Sequence, residues 1–262
     1  FLSIFSTSLA AFNHIPITSC FSFVRNHFSS HRLVDPTFSS CLNLFQFNEI
    51  APPAMLSRLK KLDKSSGPGA SSIPTKVLVH CAAELALPLS ILFNKCVSAS
   101  RFPDELKVAH ITPVFKGKGD KNDAENYRPI SVLSPVGKIF EKILTEQLSN
   151  HLEGNYLLSP SQHGFRRGLS CETALNTIVE HWRANIDNKK TVVSVFLDLK
   201  KAFDTINHDL LLYKLNYYSV SHKSINLISS YLHDRRYAVR YSGAQSNFAK
   251  LDTGIPQGSS LG

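Results

Sequence analysis

The sequence of 262 residues lacks the cysteine and histidine spacings that cross-link small domains or build zinc sites. Its five cysteines (Cys20, Cys41, Cys81, Cys96, Cys171) are odd in number and widely spaced, and they form no C-x-x-C pair. The eleven histidines include no H-E-x-x-H pattern. These absences argue against a disulfide framework and against a structural zinc site, and they favour a reducing, intracellular location.

Two phosphate-binding signatures are also missing. The chain has neither a G-x-x-x-x-G-K-[ST] phosphate loop nor a G-x-G-x-x-G dinucleotide fingerprint. Both motifs place backbone N–H groups around phosphates at the start of a helix, and their absence argues against a protein of the nucleotide-loop class.

Charge is scarce at the start of the chain and unbalanced after it. Residues 1–54 carry only Arg25, Arg32, Asp35 and Glu49, so the whole net charge of +9 lies in the remainder, which favours a polyanionic partner. Polar residues interrupt the apolar ones at the start and no basic region precedes them, so neither a membrane span nor a secretory signal is expected. We predict a leader or poorly ordered linker over residues 1–54.

Apolar residues recur at helical spacing in some segments and alternate or cluster as in strands in others. Helices are predicted near residues 55–62, 77–92, 137–148, 173–186, 207–215 and 225–232. Strands are predicted at residues 108–115, 191–199, 237–241 and 247–251. The mixture predicts an α+β fold, with 191–199 as a central strand buried on both faces because it is nearly all apolar and β-branched.

Asp198 stands at the end of that predicted central strand. A rigid strand end suits a carboxylate ligand of Mg²⁺, which prefers oxygen ligands and keeps positions open for substrate phosphates. The alternative is that Asp198 merely terminates the strand. For Asp204, six residues later, the alternative interpretation is that it is an ordinary residue at the start of a helix.

The segment from Thr253 to Gly262 reads Thr-Gly-Ile-Pro-Gln-Gly-Ser-Ser-Leu-Gly. Glycine permits close approach of the backbone to a ligand, and the amide of Gln257 offers both a donor and an acceptor. Such a loop suits a flat base or a template backbone, whereas an isolated Gly/Pro loop is more often an ordinary surface turn.

The order of several blocks carries more information than any one of them. Asn-Tyr-Arg-Pro-Ile-Ser-Val-Leu at 126–133, Gln-His-Gly-Phe-Arg at 162–166 and the segment that starts at Asp198 precede the Gly-Ile-Pro-Gln-Gly-Ser block. Together they resemble the reverse transcriptase of non-LTR (LINE-like) retrotransposons. The resemblance runs from about Met55 to Gly262, roughly four fifths of the chain.

This resemblance implies roles for individual residues. Asp198 corresponds to the first metal-binding aspartate, and the Leu199 carbonyl is expected to help hold the same ion, one of two Mg²⁺. Phe203 resembles the bulky gate that disfavours a ribose 2′-hydroxyl, with core packing as its alternative. The remaining positions are expected to bind the nucleotide: Arg128 and Lys116 at its triphosphate, Gln257 and Gly258 against the nascent base pair. Solvated charge is the alternative for Lys116.

The resemblance also implies an architecture and a reaction. It implies right-hand polymerase fingers over residues 55–181 and a partial palm over 182–262, with the thumb absent. The implied function is RNA-directed DNA polymerase, which transfers dNMP to a primer 3′-hydroxyl using an RNA template, a DNA primer and dNTP. Neither a small-molecule cofactor nor a membrane partner is expected, and the family implies the nucleus or cytoplasm as the expected location.

Two departures from the family pattern affect these expectations. The loop written Gly-Pro-Asp-Gly in the family is Gly-Pro-Gly-Ala at 67–70, and it lacks the aspartate. The family's second catalytic block, aromatic-Ala-Asp-Asp, does not occur in the chain, so residues 1–262 are expected to be inactive alone. The alternative function is a non-catalytic RNA-binding protein derived from a retroelement, which would use its basic surface.

Overall fold

The computed structural model describes residues 44–71, 73–199 and 201–261. Within these residues the chain divides into two compact units. The larger comprises residues 44–155 and 201–261, and the smaller comprises residues 156–199. The predicted division into a fingers-like and a palm-like part remains a prediction.

The helices of the larger unit follow the predicted apolar spacing. They are α1 (Pro52–Lys60), α2 (Thr75–His80), α3 (Ala82–Ala99), α4 (Pro135–Gly154), α6 (His208–Tyr217) and α7 (His222–Leu232). The smaller unit contains α5 (Cys171–Asp187), which begins with a reciprocal capping box between Ser170 and Thr173. All the predicted helices are therefore confirmed, although the predicted helix at 77–92 lies across α2 and α3.

A mixed sheet forms the other layer of the larger unit. Its strands are β1 (Val108–Phe115), β2 (Tyr127–Leu133), β3 (Arg235–Tyr241), β4 (Ala244–Gln245) and β5 (Ala249–Leu251). The order is β2-β1-β3-β4, and β5 also pairs with β3. Strand β1 is antiparallel to β2 and parallel to β3. Helices and a mixed sheet together confirm the α+β class.

The hydrophobic core of the larger unit joins residues that are far apart in sequence. Phe93 of α3 contacts Phe140 of α4 edge to face, with ring centroids 5.1 Å apart. By length and composition α3 could cross a membrane, but the core helix of a globular domain has the same properties, and α3 buries Phe93, Cys96 and Val97 in this core.

Part of the predicted leader belongs to the core. Phe47 and Ile50 are buried, and the backbone of Phe45 exchanges hydrogen bonds with Ser219 and Ser221 at 2.8 Å. The prediction of a poorly ordered linker is therefore wrong for residues 44–54. The apolar residues of this segment have no helical or strand period, so their sequence does not indicate that distant parts of the chain anchor them. Residues 1–43 of the predicted leader lie outside the described residues.

The predicted central strand at 191–199 is also not observed. These residues have no regular secondary structure, and the side chains of Val195, Phe196 and Leu197 are half exposed or more. The strands of the described sheet pair with one another and leave this segment without a ladder. The residue types of this segment favour a strand, but a strand forms only where another backbone satisfies its hydrogen bonds.

A buried polar cluster fixes α4, α7 and β3 to one another. Glu141 accepts a hydrogen bond of 3.1 Å from the Tyr231 hydroxyl, and both residues are 1% exposed. The guanidinium of Arg235 lies over the Tyr231 ring at 4.6 Å and donates to the Tyr231 carbonyl at 3.1 Å. Burial raises the pKa of the Glu141 carboxyl, although Ser260, Arg235 and Tyr231 each favour its charged form.

Removal of the Tyr231 hydroxyl tests this cluster. Tyr231→Phe leaves the buried Glu141 carboxyl with one donor fewer, so we expect the free energy of unfolding to fall by about 1–3 kcal/mol. Tyr213→Phe is the matched control, because Tyr213 is 66% exposed. Urea unfolding of the two variants and the wild type measures the difference, and an equal effect of both variants would contradict a role for the buried hydroxyl.

The raised pKa of Glu141 predicts a pH dependence of stability. Because the folded chain binds this proton more tightly than the unfolded chain, the contribution is complete below the ordinary pKa of glutamate and is lost as the pH rises through the raised value. The difference in unfolding free energy between the wild type and Glu141→Gln should therefore move in favour of the variant between about pH 4 and pH 8. Urea unfolding across this range measures it, with the exposed Glu105→Gln as control. A pH-independent difference would exclude the effect.

Candidate functional site

The segment at residues 253–260, here called the Gln257 loop, is attached to the turn at residues 201–206, here called the Phe203 turn. The N–H of Gly254 donates to Ile206 O and the N–H of Ile255 donates to Phe203 O, both at 2.9 Å. The Nε2 of the buried His208 lies 2.7 Å from Gly254 O. Two segments about fifty residues apart in sequence therefore form one backbone unit.

The other end of the Gln257 loop is attached to strand β2 and helix α4. The N–H of Ser131 donates to Gln257 O at 2.8 Å, along the edge of β2 that β1 leaves unpaired. The N–H of Ser260 donates to the buried Glu141 carboxylate at 2.9 Å, and the Thr145 hydroxyl donates to Ser260 O at 2.9 Å. The buried polar cluster thus sets the position of the loop.

Gly254 is required by the contact between the loop and the turn. Its φ is +77°, and a Cβ there would lie 2.6 Å from Phe203 O and 2.7 Å from the Asp204 Cα. Real Cβ atoms do not approach backbone so closely, so only glycine allows the Gln257 loop to lie against the Phe203 turn.

A small cavity of about 50 Å³ lies beside the Gln257 loop. Its lining combines apolar residues of the sheet with polar residues of both attached segments: Ala109, Ile111, Pro129, Ser131, Asp204, Arg235, Arg236, Tyr237, Leu251, Ile255, Pro256 and Gln257. Within it the Nε2 of Gln257 donates to the Asp204 carboxylate at 3.1 Å. The structure therefore brings Gln257 and Asp204 together, with Phe203 next in the chain.

Phe203 is accessible rather than buried in the core. Its side chain is 37% exposed, while its carbonyl accepts from Ile255 in the Gln257 loop. The backbone is thus fixed, while part of the residue is exposed to solvent. The exposure disfavours the alternative that Phe203 serves only as a core residue.

Arg128 and Lys116 belong to the β1–β2 hairpin of the same unit. Arg128 is exposed on β2, three residues before Ser131, and so roughly 10 Å along the strand from the attached loop. The Nζ of Lys116 donates to Glu125 O at 2.5 Å, and its N–H donates to Asn126 O at 2.8 Å. Lys116 therefore helps to close the hairpin and is more than a solvated charge.

Asp198 and Leu199 lie in the smaller unit, where both are exposed and outside regular structure. No group of three or more His, Cys, Asp or Glu side chains among the described residues could hold a metal ion. Asp198 supplies the expected type of oxygen ligand, but the described residues do not complete a Mg²⁺ site.

Local sequence patterns do not predict the role of Asp204, and they indicate that of Glu141 only weakly. Helix α6 begins at His208 with Asn207 as its N-cap, so the helix-start alternative for Asp204 is wrong. Its partner Gln257 is 53 positions away, and no local pattern indicates that contact. Glu141 carried a weak signal, because it is the acidic residue within the apolar stripe of α4.

A model of the reverse transcriptase (RNA-dependent DNA polymerase) family matches residues 118–262, more than half of the chain. The chain belongs to the reverse transcriptase family. The matched range includes β2, the Phe203 turn and the Gln257 loop, whereas Lys116 lies just before it.

Curated relatives agree with the family. The chain is 30% identical over 214 residues to the probable RNA-directed DNA polymerase from transposon BS of Drosophila melanogaster, which covers 79% of the chain and 23% of that protein. It is 31% identical over 198 residues to the X-element polymerase of the same species, covering 76% of the chain and 22% of that protein. The polymerase from the mobile element jockey of Drosophila funebris is 28% identical over 222 residues, covering 83% and 24% respectively. The chain thus spans about a quarter of these relatives.

The steric requirement at Gly254 predicts an asymmetry between two glycines. Gly254 and Gly243 both have positive φ, but a Cβ at Gly243 would meet nothing within 4 Å. We expect Gly254→Ala to lower the free energy of unfolding by about 1–3 kcal/mol more than Gly243→Ala, because only the former also forces the loop off the turn. Hydrogen exchange at the Ile255 N–H should accelerate only in Gly254→Ala. Equal behaviour of the two variants would contradict the close approach.

Proposed function

We propose that the protein is the RNA-directed DNA polymerase of a non-LTR retrotransposon. On an RNA template, the 3′-hydroxyl of a DNA primer loses its proton and attacks the α-phosphate of dNTP, so that dNMP is joined to the primer and pyrophosphate leaves. The observation that carries the proposal is the attachment of the Gln257 loop to the Phe203 turn, within a chain that belongs to the reverse transcriptase family. The names of the relatives support the retrotransposon source.

The proposed nucleotide site lies where these two segments meet. The exposed part of the Phe203 ring bounds it and disfavours a ribose 2′-hydroxyl, while Gln257 and Gly258 face the nascent base pair. Gly258 supports this because it is exposed and has a φ of +100°, so the backbone can approach a base closely. A Cβ at this position would lie 3.3 Å from Ser131 O, so a bulkier residue would press on strand β2 and shift the loop.

The charges of the hairpin fit the substrate. Arg128 is exposed, and its guanidinium offers a fork of donors that matches phosphate oxygens. Lys116 supplies a point charge at the end of β1. The net charge of +9 supports binding of an RNA template and a DNA primer through their backbones.

Asp198, with the Leu199 carbonyl, would hold one of two divalent ions, for which Mg²⁺ is the proposed metal. Such ions lower the pKa of an attacking hydroxyl and stabilise the leaving oxygen in nucleotidyl transfer. In this architecture residues 55–181 contribute the fingers and residues 182–262 contribute part of the palm. The exposed apolar side chains at 193–199 support a palm strand that requires a partner strand.

The metal role of Asp198 predicts a loss of catalysis without a loss of binding. Loss of even an indirect partner of a metal ligand costs about 10- to 100-fold, so Asp198→Asn should lower primer extension by the full-length protein by more than about 100-fold. Binding of the RNA–DNA hybrid should remain. Asp187→Asn, at another exposed aspartate of the smaller unit, is the control. Hybrid binding with no Asp198-dependent extension by the wild type would instead indicate a non-catalytic RNA-binding protein.

The gate role of Phe203 predicts a change in sugar selectivity. Phe203→Val removes the ring that would collide with a 2′-hydroxyl, so use of rNTP relative to dNTP should rise on the order of ten- to a hundred-fold. Phe248→Val is the control, because Phe248 is also partly exposed, at 49%. Single-nucleotide extension by the full-length protein with matched dNTP and rNTP measures the ratio. An unchanged ratio in Phe203→Val would remove Phe203 from the site.

A further inference from the structure

The contact between Gln257 and Asp204 has a chemical direction. The Nε2 of Gln257 lies 3.1 Å from an Asp204 carboxylate oxygen, and the contact is partly buried beside the cavity. An ionised carboxylate only accepts hydrogen bonds, so it binds the NH₂ end of the amide and repels the carbonyl end. The orientation of the Gln257 amide is therefore dictated by its partner rather than left open.

This orientation determines what Gln257 presents to a ligand. With Nε2 bound to Asp204, the Oε1 atom is directed away from the carboxylate, and no hydrogen bond among the described residues occupies it. Gln257 therefore offers an acceptor to its surroundings. A free glutamine would offer either a donor or an acceptor, and it would lose side-chain rotamer freedom on binding.

Asp204 itself is held firmly by backbone. Its N–H donates to Lys201 O at 2.9 Å, and its carbonyl accepts from the Thr253 hydroxyl at 3.3 Å. The backbone of Gln257 is fixed at the same time by Ser131, which donates to Gln257 O at 2.8 Å. Both partners thus have fixed backbones, and this preorganisation is the property expected of a group that orients a binding side chain.

We propose that Asp204 is a positioning residue that holds the Gln257 amide with its oxygen toward the bound nucleic acid or nucleotide. The residue acts through Gln257 and does not itself contact the substrate. The site thereby selects a hydrogen-bond donor on the ligand. This inference rests on the proposed function for its kinetic consequence, but the contact between the two side chains does not depend on that function.

The contact is tested first by NMR of the chain without any ligand. The Nε2 proton resonances of Gln257, assigned by their loss in Gln257→Met, should shift in Asp204→Asn. They should not shift in Asp252→Asn, which changes an exposed carboxylate beside the same loop. Asparagine preserves the shape of aspartate, so the fold is retained. Resonances that do not move in Asp204→Asn would overturn the proposal.

The positioning role is tested by a double-mutant cycle in primer extension by the full-length protein. Asp204→Asn should lower kcat/KM for dNTP by about ten- to a hundredfold, as expected for loss of a hydrogen bond to a charged group. In a Gln257→Met background the same change should have an effect below about twofold, because Asp204 acts only through Gln257. An undiminished loss in that background would show that Asp204 acts independently and would overturn the proposal.

Different results would reject the proposed polymerase function and the positioning role of Asp204. Absence of any extension by the wild-type protein, together with the expected NMR shift, would reject the proposed function and support the contact. Extension with unmoved resonances would reject the positioning role and leave the proposed function standing.

Discussion

The close approach of Gly254 to the backbone of Phe203 and Asp204 is the constraint on which the candidate site depends. The absence of a Cβ lets two backbone segments lie against each other, and the hydrogen bonds of Gly254 and Ile255 then fix their alignment. The exposure of the Phe203 ring, the cavity and the contact between Gln257 and Asp204 all follow from this alignment. A side chain at position 254 would separate the two segments, and the contacts that form the candidate site would be lost.

The buried polar cluster also stabilises this alignment, because Glu141 binds the Gln257 loop at Ser260. The Glu141 carboxylate is buried, and one of its oxygens binds the N–H of Ser260 while the other binds the Tyr231 hydroxyl. A buried carboxyl without hydrogen-bond partners is costly, so helix α7 and the Gln257 loop, which both donate to it, are held against α4. Stability of the core and geometry of the site are therefore coupled through one residue of α4.

Local pattern was sufficient for the helices, whose apolar residues recur with the helical period, and for β1, whose residues 111–115 alternate in burial. It failed at β2, where Pro129 argues against a strand, yet the strand lies at the edge of the sheet and tolerates proline. At 191–199 the local pattern predicted a strand that is not observed, because the strand propensity is high but no strand of the described sheet pairs with this segment. It also missed Phe47 and Ile50, which distant partners anchor.

The same limit applies to the site. The motif residues Phe203, Gln257 and Gly258 were identified by resemblance, and Asp198 was identified by its place after an apolar run. The residues that hold the Gln257 loop, Asp204 and Glu141, act over 53 and 119 positions of sequence, and such pairings depend on the tertiary fold alone. The metal site remains a prediction, because the described residues supply Asp198 without a complete set of ligands.

A structure of the full-length protein with an RNA template, a DNA primer and a non-hydrolysable dNTP analogue tests the central claim most directly. The account predicts that the nucleotide lies against Phe203 and the Gln257 loop, with Gln257 Oε1 toward it and Nε2 on Asp204. A nucleotide bound elsewhere in the protein, with the Gln257 loop free of nucleic acid, would contradict the account.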